Sequence, residues 1–196
     1  MNNYEIMLDA ARVRCAGYDM AALAAKPGVE DAGECLRTTF FAREILIHKK
    51  TAAVTVDGRP ADFVEGLSVY DWLCDRKPEA AVSEEYCLVS SLPGVVVSGS
   101  GLGMAMPRLA ESIQEDPDKF QQIMAKMEAK PAKLGDLGYQ VQIFPGWSLC
   151  LKFYFSDEDF DPCLHVLWDK NSLQFVRYET LYYIAGCLQK YLQKAM

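Results

Sequence analysis

Three strand-like segments near the C-terminal end constrain the fold of this chain more than any other feature, at 139–144, 148–155 and 163–169. In the second segment the apolar residues alternate with period two, which is typical of a strand that packs one face against a core. Phe153 and Phe155 belong to that face, so we expect both to be buried. Pro145-Gly146 and a short polar segment connect the three, and connections this short join antiparallel neighbours. The sequence therefore predicts a consecutive antiparallel meander.

Helical patterns lie outside this meander, at 4–16, 19–26, 63–76, 117–130 and 178–194. The 117–130 pattern is the clearest, because Asp116 can cap it and Pro117 occupies its first turn. In the last pattern Leu181, Ile184 and Leu188 share one face and are expected to be buried. Helices and strands fall in separate runs, which favours an α+β fold. We predict one domain over residues 1–196, a mainly antiparallel sheet with helices packed on it, including a C-terminal helix.

Further strands are predicted in the first half of the chain, at 35–48, 52–56 and 86–90. Asp57-Gly58 is a good turn dipeptide, but Pro60 follows it and cannot donate a hydrogen bond to a sheet. We therefore predict a loop there and not a tight hairpin. The glycine-rich run at 95–106 lacks the spacing of a dinucleotide-binding fingerprint and is interpreted as a connecting loop.

The overall charge and hydropathy exclude two classes of partner. The chain has 20 basic and 27 acidic residues, a net charge of −7, and no cluster of Lys and Arg that would bind nucleic acid. No apolar stretch approaches the roughly 20 residues of a membrane helix. The N-terminus has no basic start followed by an apolar segment, so no signal peptide is predicted. We expect a cytoplasmic protein that binds neither nucleic acid nor a membrane.

The seven cysteines do not indicate a cofactor of their own. Their number is odd, their spacing is wide and no CxxC occurs, so we interpret them as reduced core residues. Cys163 and His165 are two residues apart and point to the same face of a strand. Strand neighbours at this spacing stand roughly 6–7 Å apart at the backbone, which argues against contact between the sulfur and the ring. The sequence identifies no cofactor.

The segment Asp157-Glu158-Asp159-Phe160-Asp161, here called the acidic turn, separates the last two strands. It is not an EF-hand, because the positions that need Gly and Glu hold Pro162 and Trp168. Carboxylates at a turn are readily solvated, so the turn has a purely structural interpretation. Phe160 does not fit that interpretation. A buried Phe160 would anchor the turn and fix its carboxylates, and we expect its ring to be mostly buried.

These observations define the candidate site, whose binding residues are Asp157, Glu158, Asp159, Phe160, Asp169 and Trp147. Hard divalent cations take oxygen ligands, so the metal candidates are Asp157, Asp159, Asp161 and Asp169. In one alternative Asp157 and Asp159 hold a divalent metal or act as acid and base. In another the chain is a structural module without a site. The sequence assigns no catalytic residue and leaves open whether the chain is an enzyme.

Two segments carry a resemblance to a known family. SDEDFDPCLHVLWDKNSLQFVRYE, at 156–179, is similar to a pattern of roughly Gly-Asp-Glu-Glu-Phe-Pro, an apolar run ending in Phe-Asp, and a later Glu. Asp157, Glu158 and Phe160 match it directly, Asp169 ends the apolar run, and Glu179 fits the later acid. LSVYDWLCDRKPEAAVSEEYCLVSSLPG, at 67–94, is similar to an earlier helix and strand. The chain thus resembles the domain-of-unknown-function family number thirty-seven eighty-six of anaerobic bacteria and archaea.

The resemblance spans about residues 36–192 and implies accessory work in anaerobic redox or one-carbon metabolism. We therefore expect a cytoplasmic accessory module of anaerobic metabolism that binds a small molecule or a partner protein. The partner implied by the resemblance belongs to that metabolism. A homodimer is the other association that the sequence leaves open.

Overall fold

The computed structural model of the protein describes residues 3–95 and 106–196. The described residues form six α-helices and two antiparallel sheets of five strands each, which confirms the predicted α+β class. The helices are α1 (Asn3–Ala16), α2 (Met20–Ala24), α3 (Phe63–Asp75), α4 (Pro107–Glu115), α5 (Pro117–Lys126) and α6 (Tyr178–Ala195). Most of the glycine-rich run that was interpreted as a loop, residues 96–105, lies outside the described part of the chain.

The chain divides into two compact units, each assembled from separate segments. The first unit comprises 1–81, 143–146 and 173–184, and the second comprises 82–142, 147–172 and 185–196. The single domain over residues 1–196 stays a prediction.

The sheet of the first unit has the order β1-β2-β3-β4-β5. Its strands are β1 (Glu30–Ala32), β2 (Cys35–Phe40), β3 (Arg43–His48), β4 (Val54–Val56) and β5 (Arg59–Pro60). The sequence predicted one strand over 35–48, but Phe41 and Ala42 break it into a hairpin with Phe40 opposite Arg43. Both residues have positive φ, 51° and 60°, as a two-residue hairpin turn requires. Neither is a usual turn residue, so composition gave no signal.

The predicted loop at Asp57-Gly58 is wrong, because these two residues form a tight hairpin. Val56 pairs with Arg59, and φ is 49° at Asp57 and 78° at Gly58. Pro60 does not prevent the pairing, since β5 lies at the edge of the sheet, where proline is tolerated.

Helix α3 lies at the core of the first unit. Asp62 caps it, and Glu65 returns the hydrogen bond to the Asp62 backbone, which together form a capping box. All ten residues from Glu65 to Cys74 are buried. Trp72 stacks on Phe144 at 4.4 Å between ring centroids. A helix that is buried on every side also buries its polar residues, so its few carboxylates must find partners inside the protein.

The sheet of the second unit has the order β6-β10-β9-β8-β7. Its strands are β6 (Tyr86–Cys87), β7 (Lys130–Pro131), β8 (Leu137–Phe144), β9 (Trp147–Tyr154) and β10 (Cys163–Asp169). Strands β8, β9 and β10 are consecutive and antiparallel, as predicted. Phe153 is fully buried, but Phe155 is 38% exposed, and its predicted burial is wrong. Strand β9 ends at Tyr154, so the alternation does not reach Phe155.

The predicted face of the C-terminal helix is confirmed. Leu181, Ile184 and Leu188 of α6 are all fully buried. The first two belong to the first unit and the third to the second. The first turns of α6 therefore belong to the first unit, and its later turns belong to the second.

Candidate functional site

The acidic turn is a local, hydrogen-bonded turn on the protein surface. The Asp157 carboxylate accepts hydrogen bonds from the backbone N–H groups of Asp159 and Phe160, each at 2.9 Å. The Asp157 N–H donates in turn to the Phe160 carbonyl at 3.0 Å. All five residues of the turn are exposed. The turn closes on itself, so it needs no anchor elsewhere.

Phe160 is 73% exposed, so its predicted burial is wrong. Its backbone N–H and carbonyl hold the turn together through Asp157, and its ring contributes nothing to that arrangement. The proposed role of Phe160 as an anchor for the carboxylates therefore fails.

Asp169 lies at the other end of β10 and is fully buried. Its carboxylate accepts hydrogen bonds from the backbone N–H groups of Ser83 (2.9 Å), Glu84 (2.8 Å) and Asn171 (2.8 Å). These donors replace water around the buried charge. β10 starts at Cys163, so Asp169 stands about 20 Å along the strand from the acidic turn at a rise of about 3.3 Å per residue. The structure does not bring them together.

Trp147, the last predicted binding residue, is also fully buried. Its indole N–H donates to the Ser172 hydroxyl at 3.2 Å. The predicted site residues thus occupy two places: the exposed acidic turn, and the buried end of β10, where β9 begins and the Trp147 ring lies 6.3 Å from that of Trp168. Within residues 3–95 and 106–196, no three His, Cys, Asp or Glu side chains are grouped to hold a metal ion.

A different set of residues surrounds a cavity of about 350 Å³ in the first unit. The cavity is bounded by α1, α3, Arg177 and the first turns of α6. Its walls are mostly apolar and are contributed by Met7, Ala10, Ala11, Leu67 and Tyr183. Its polar lining consists of Arg14, Asp71, Arg177, Glu179 and Thr180.

Asp71 is the centre of the polar side of this cavity. It is 1% exposed, and one carboxylate oxygen accepts hydrogen bonds from Arg14 (3.0 Å) and Arg177 (2.8 Å). The other oxygen accepts a hydrogen bond from the Thr180 hydroxyl at 2.5 Å. A carboxylate in a helix core is costly unless charged donors of this kind compensate it.

Asp75, one turn further along α3, joins the same two arginines, at 3.2 Å to Arg14 and 3.6 Å to Arg177. Burial raises the pKa of Asp75, and the neighbouring Asp71 adds to the rise against the opposing effect of both arginines. Arg14, Asp71, Asp75, Arg177 and Thr180 are called the Asp71 cluster below. Its two positive and two negative charges cancel.

The Asp71 cluster leaves one buried donor unused. The Nε of Arg14 is buried and has no hydrogen-bond partner among the described residues. Buried polar groups nearly always have a partner, so an unused donor beside a cavity needs an explanation. Arg14 and Arg177 are 37% and 60% exposed in their side chains, so both can also contact a molecule in the cavity.

Sequence reasoning missed this site, although a signal for it exists. The sequence predicts α3 from its apolar stripe, and no site residue was predicted within it. Asp71 falls on that stripe, four residues after Leu67 and three before Cys74, and a carboxylate in such a position is expected to be buried and paired. Its partner Arg177 is 106 residues away in sequence, so the pairing itself has no local signal.

The fold and the cavity define an α+β protein with two antiparallel sheets and a helix-lined pocket. The model of the family "Domain of unknown function (DUF3786)" matches residues 19–191. The chain therefore belongs to this family, as the resemblance of its two segments implied. No curated protein and no solved structure matches the chain. Within the described residues, no helix has the length and apolar character needed to cross a membrane.

Both segments that carry the family resemblance contribute to the cavity. Leu67 and Asp71 belong to the earlier segment at 67–94, and Arg177 and Glu179 to the later one at 156–179. The acidic turn, which begins the later segment, is not part of the lining.

Proposed function

We propose that the chain is a small-molecule-binding module and that its binding site is the cavity beside the Asp71 cluster. The observation that supports this most directly is a buried, fully paired carboxylate at the wall of a mostly apolar cavity. Ligand sites typically have volumes of about 300–1,000 Å³, apolar walls and a few fixed polar groups. The cavity of about 350 Å³ meets each of these criteria. The accessory role in anaerobic metabolism remains a prediction from the family resemblance.

The charges of the Asp71 cluster indicate what kind of ligand the cavity prefers. Asp71 and Asp75 already neutralise Arg14 and Arg177, and Glu179 adds an exposed negative charge at the lining. An anionic ligand would add an uncompensated charge, and a cationic one would compete with the arginines for Asp71. An uncharged acceptor, such as a carbonyl or amide oxygen, needs only a guanidinium N–H. We expect a small apolar molecule with one such group.

A matched set of three small probes tests this specificity. Benzamide, benzoate and benzylamine share one ring and differ only in the polar group, which is neutral, anionic or cationic. Each is titrated into the full chain to about 10 mM and followed by backbone amide NMR. We expect benzamide to shift amides of α1, α3 and the start of α6 the most.

Ala10→Leu provides the matched variant. Ala10 lines the cavity and is exposed, so a leucine there occupies the cavity and leaves the Asp71 cluster unchanged. Ala125→Leu is the control, because Ala125 is an exposed helical alanine in the second unit. Benzamide shifts should disappear in Ala10→Leu and persist in Ala125→Leu. Equal shifts in both variants, or no shift with any probe, would contradict the proposal.

A further inference from the structure

Cys163 and His165 form a contact that their backbone spacing in a strand argues against. The Cys163 sulfur lies 3.3 Å from His165 Nε2, although the two residues are the first and third of β10. The spacing of roughly 6–7 Å applies to the backbone, and the two side chains lean towards each other on one face of the sheet. The earlier objection to a Cys–His pair is therefore wrong. Both residues are half-buried, so solvent reaches them.

The neighbouring strand β9 completes the surroundings of this pair. Tyr154 stands opposite Cys163, and Lys152 stands opposite His165. The Tyr154 ring is perpendicular to the His165 ring at 6.4 Å between centroids. The Lys152 ammonium lies over the Tyr154 ring, 4.8 Å from its centroid. The sulfur thus has a basic nitrogen in contact with it and an ammonium group on the same face.

We propose that Cys163 is a nucleophilic thiol that His165 activates, and that it reacts with small electrophilic alkyl compounds. His165 Nε2 accepts the thiol proton, and the resulting thiolate attacks the electrophilic carbon. A carbon–sulfur bond forms while the bond from carbon to the leaving group breaks, and the leaving group departs with the electron pair. The proton remains on His165. No oxidant or reductant is needed.

Cys87 provides an internal reference in the same sheet. It is also half-buried, lies in β6, and burial raises the pKa of its thiol. Both thiols are therefore comparably accessible to solvent. Of the two, Cys163 is the one with a histidine in contact with its sulfur. Because the raised pKa of Cys87 also slows its reaction, the effect of the base is isolated by the change in the Cys163 rate when His165 is replaced.

Competitive alkylation tests the proposal. The full chain is treated at pH 7 with limiting iodoacetamide, in which iodide is the leaving group, and the peptides that contain Cys163 and Cys87 are quantified by mass spectrometry. We expect Cys163 to react at least about tenfold faster than Cys87, because the thiolate is the reactive form. Equal rates at the two positions would overturn the proposal.

His165→Gln separates base catalysis from access. Glutamine removes the base and also a bulky ring, so a purely steric effect would raise the Cys163 rate. We expect the opposite, a fall of about tenfold at Cys163 with Cys87 unchanged. His48→Gln, at the other histidine of the chain, should leave both rates unchanged. An unchanged or raised Cys163 rate in folded His165→Gln would contradict activation, and His165→Asn is the second variant if the first does not fold.

Discussion

The acidic turn and helix α3 both carry carboxylates, but they hold them in opposite ways. The turn has four carboxylates in five residues, and all are exposed. The hydrogen bonds that Asp157 accepts come from within the turn itself. Asp71 lies among apolar residues of α3, is 1% exposed, and receives three hydrogen bonds from other elements. The dense group of carboxylates in the turn is therefore solvated, whereas Asp71, which lies among apolar side chains, is buried and paired.

The physical reason lies in the cost of desolvation. A carboxylate on a turn keeps its water and needs no partner, so several can stand together at little cost. A carboxylate in a buried helix loses its water and stays charged only if donors surround it. The difference in free energy between the two environments is the quantity that the following predictions test.

The largest expected effect is at Asp71. Asp71→Ala removes the acceptor of the buried Thr180 hydroxyl and one of the two carboxylates that pair with Arg14 and Arg177. We expect a loss of about 3–4 kcal/mol in the free energy of unfolding, the lower part of the range for breaking a buried ion pair, because Asp75 still pairs with both arginines. Urea denaturation of both proteins measures it. Asp157→Ala is the control, with an expected loss below about 1 kcal/mol. A loss at Asp71 as small as the control would remove the contrast between the two regions.

Much of the fold was predictable from sequence because it depends on local periodicity. The meander over β8, β9 and β10 and the buried face of α6 were predicted from alternation and helical spacing. The hairpin at Phe41-Ala42 was not, because no glycine or asparagine marks its positive φ values. Phe41 is buried and its N–H donates to the distant Ile143 carbonyl, so long-range contacts of Phe41 support the turn where local preference does not.

The site was far less predictable, because its residues meet only in three dimensions. Asp71 and Arg177 are 106 residues apart, and Asp169 receives its donors from Ser83 and Glu84, more than 80 residues earlier. Neither pairing has a local pattern. The binding site was predicted at the acidic turn because its charges are adjacent in sequence. Adjacency in sequence does not show which groups a carboxylate contacts in the folded protein.

The second prediction concerns the pH dependence of stability at Glu65. Burial acts to raise its pKa, but hydrogen bonds from Arg59, the Asp62 backbone and Arg43 outweigh it and lower the pKa from 4.5 to about 2. A lowered pKa stabilises the folded state above pH 4.5, and this contribution is lost as the pH falls towards 2. The contribution is about 3 kcal/mol. Glu65→Gln should therefore reduce stability at pH 6 and flatten its decline between pH 4.5 and 2.

The two proteins are compared by urea denaturation at several pH values. The matched control is Glu44→Gln, because Glu44 is an exposed partner of Arg37 on the sheet surface. That variant should follow the wild-type pH profile. If the Glu65→Gln profile also follows it, the buried charge on α3 contributes no more than an exposed one.

The third prediction compares two carboxylates that accept backbone hydrogen bonds. Asp169→Asn removes the charge that binds the Ser83, Glu84 and Asn171 N–H groups, and we expect a loss of about 2 kcal/mol. Asp136→Asn is the exposed counterpart, since Asp136 accepts one N–H, from Phe155. Its loss should stay below about 1 kcal/mol. Hydrogen exchange of the Ser83 and Glu84 amides should accelerate in Asp169→Asn alone, and unchanged exchange there would contradict the structural role of Asp169.

The smallest expected effect is at the acidic turn, where the metal hypothesis based on Asp157, Asp159, Asp161 and Asp169 can still be tested. A metal ion at 100 times its dissociation constant would stabilise the protein by about 2.7 kcal/mol. For a domain of this size that corresponds to a rise of about 5–10 °C in melting temperature. Because the turn is exposed and Asp169 stands at the other end of β10, we expect no such rise in magnesium, calcium or manganese up to about 10 mM.

Asp157→Asn and Asp159→Asn are the matched variants for these melts, with excess chelator as the reference condition. The asparagine oxygen at position 157 can still accept the N–H groups of Asp159 and Phe160, so the turn keeps its shape and loses only charge. A general effect of salt would move the wild type and both variants equally. A rise of several degrees in the wild type that either variant abolishes would instead show that adjacent carboxylates on a solvated turn can bind a metal, and the contrast with Asp71 would then not hold.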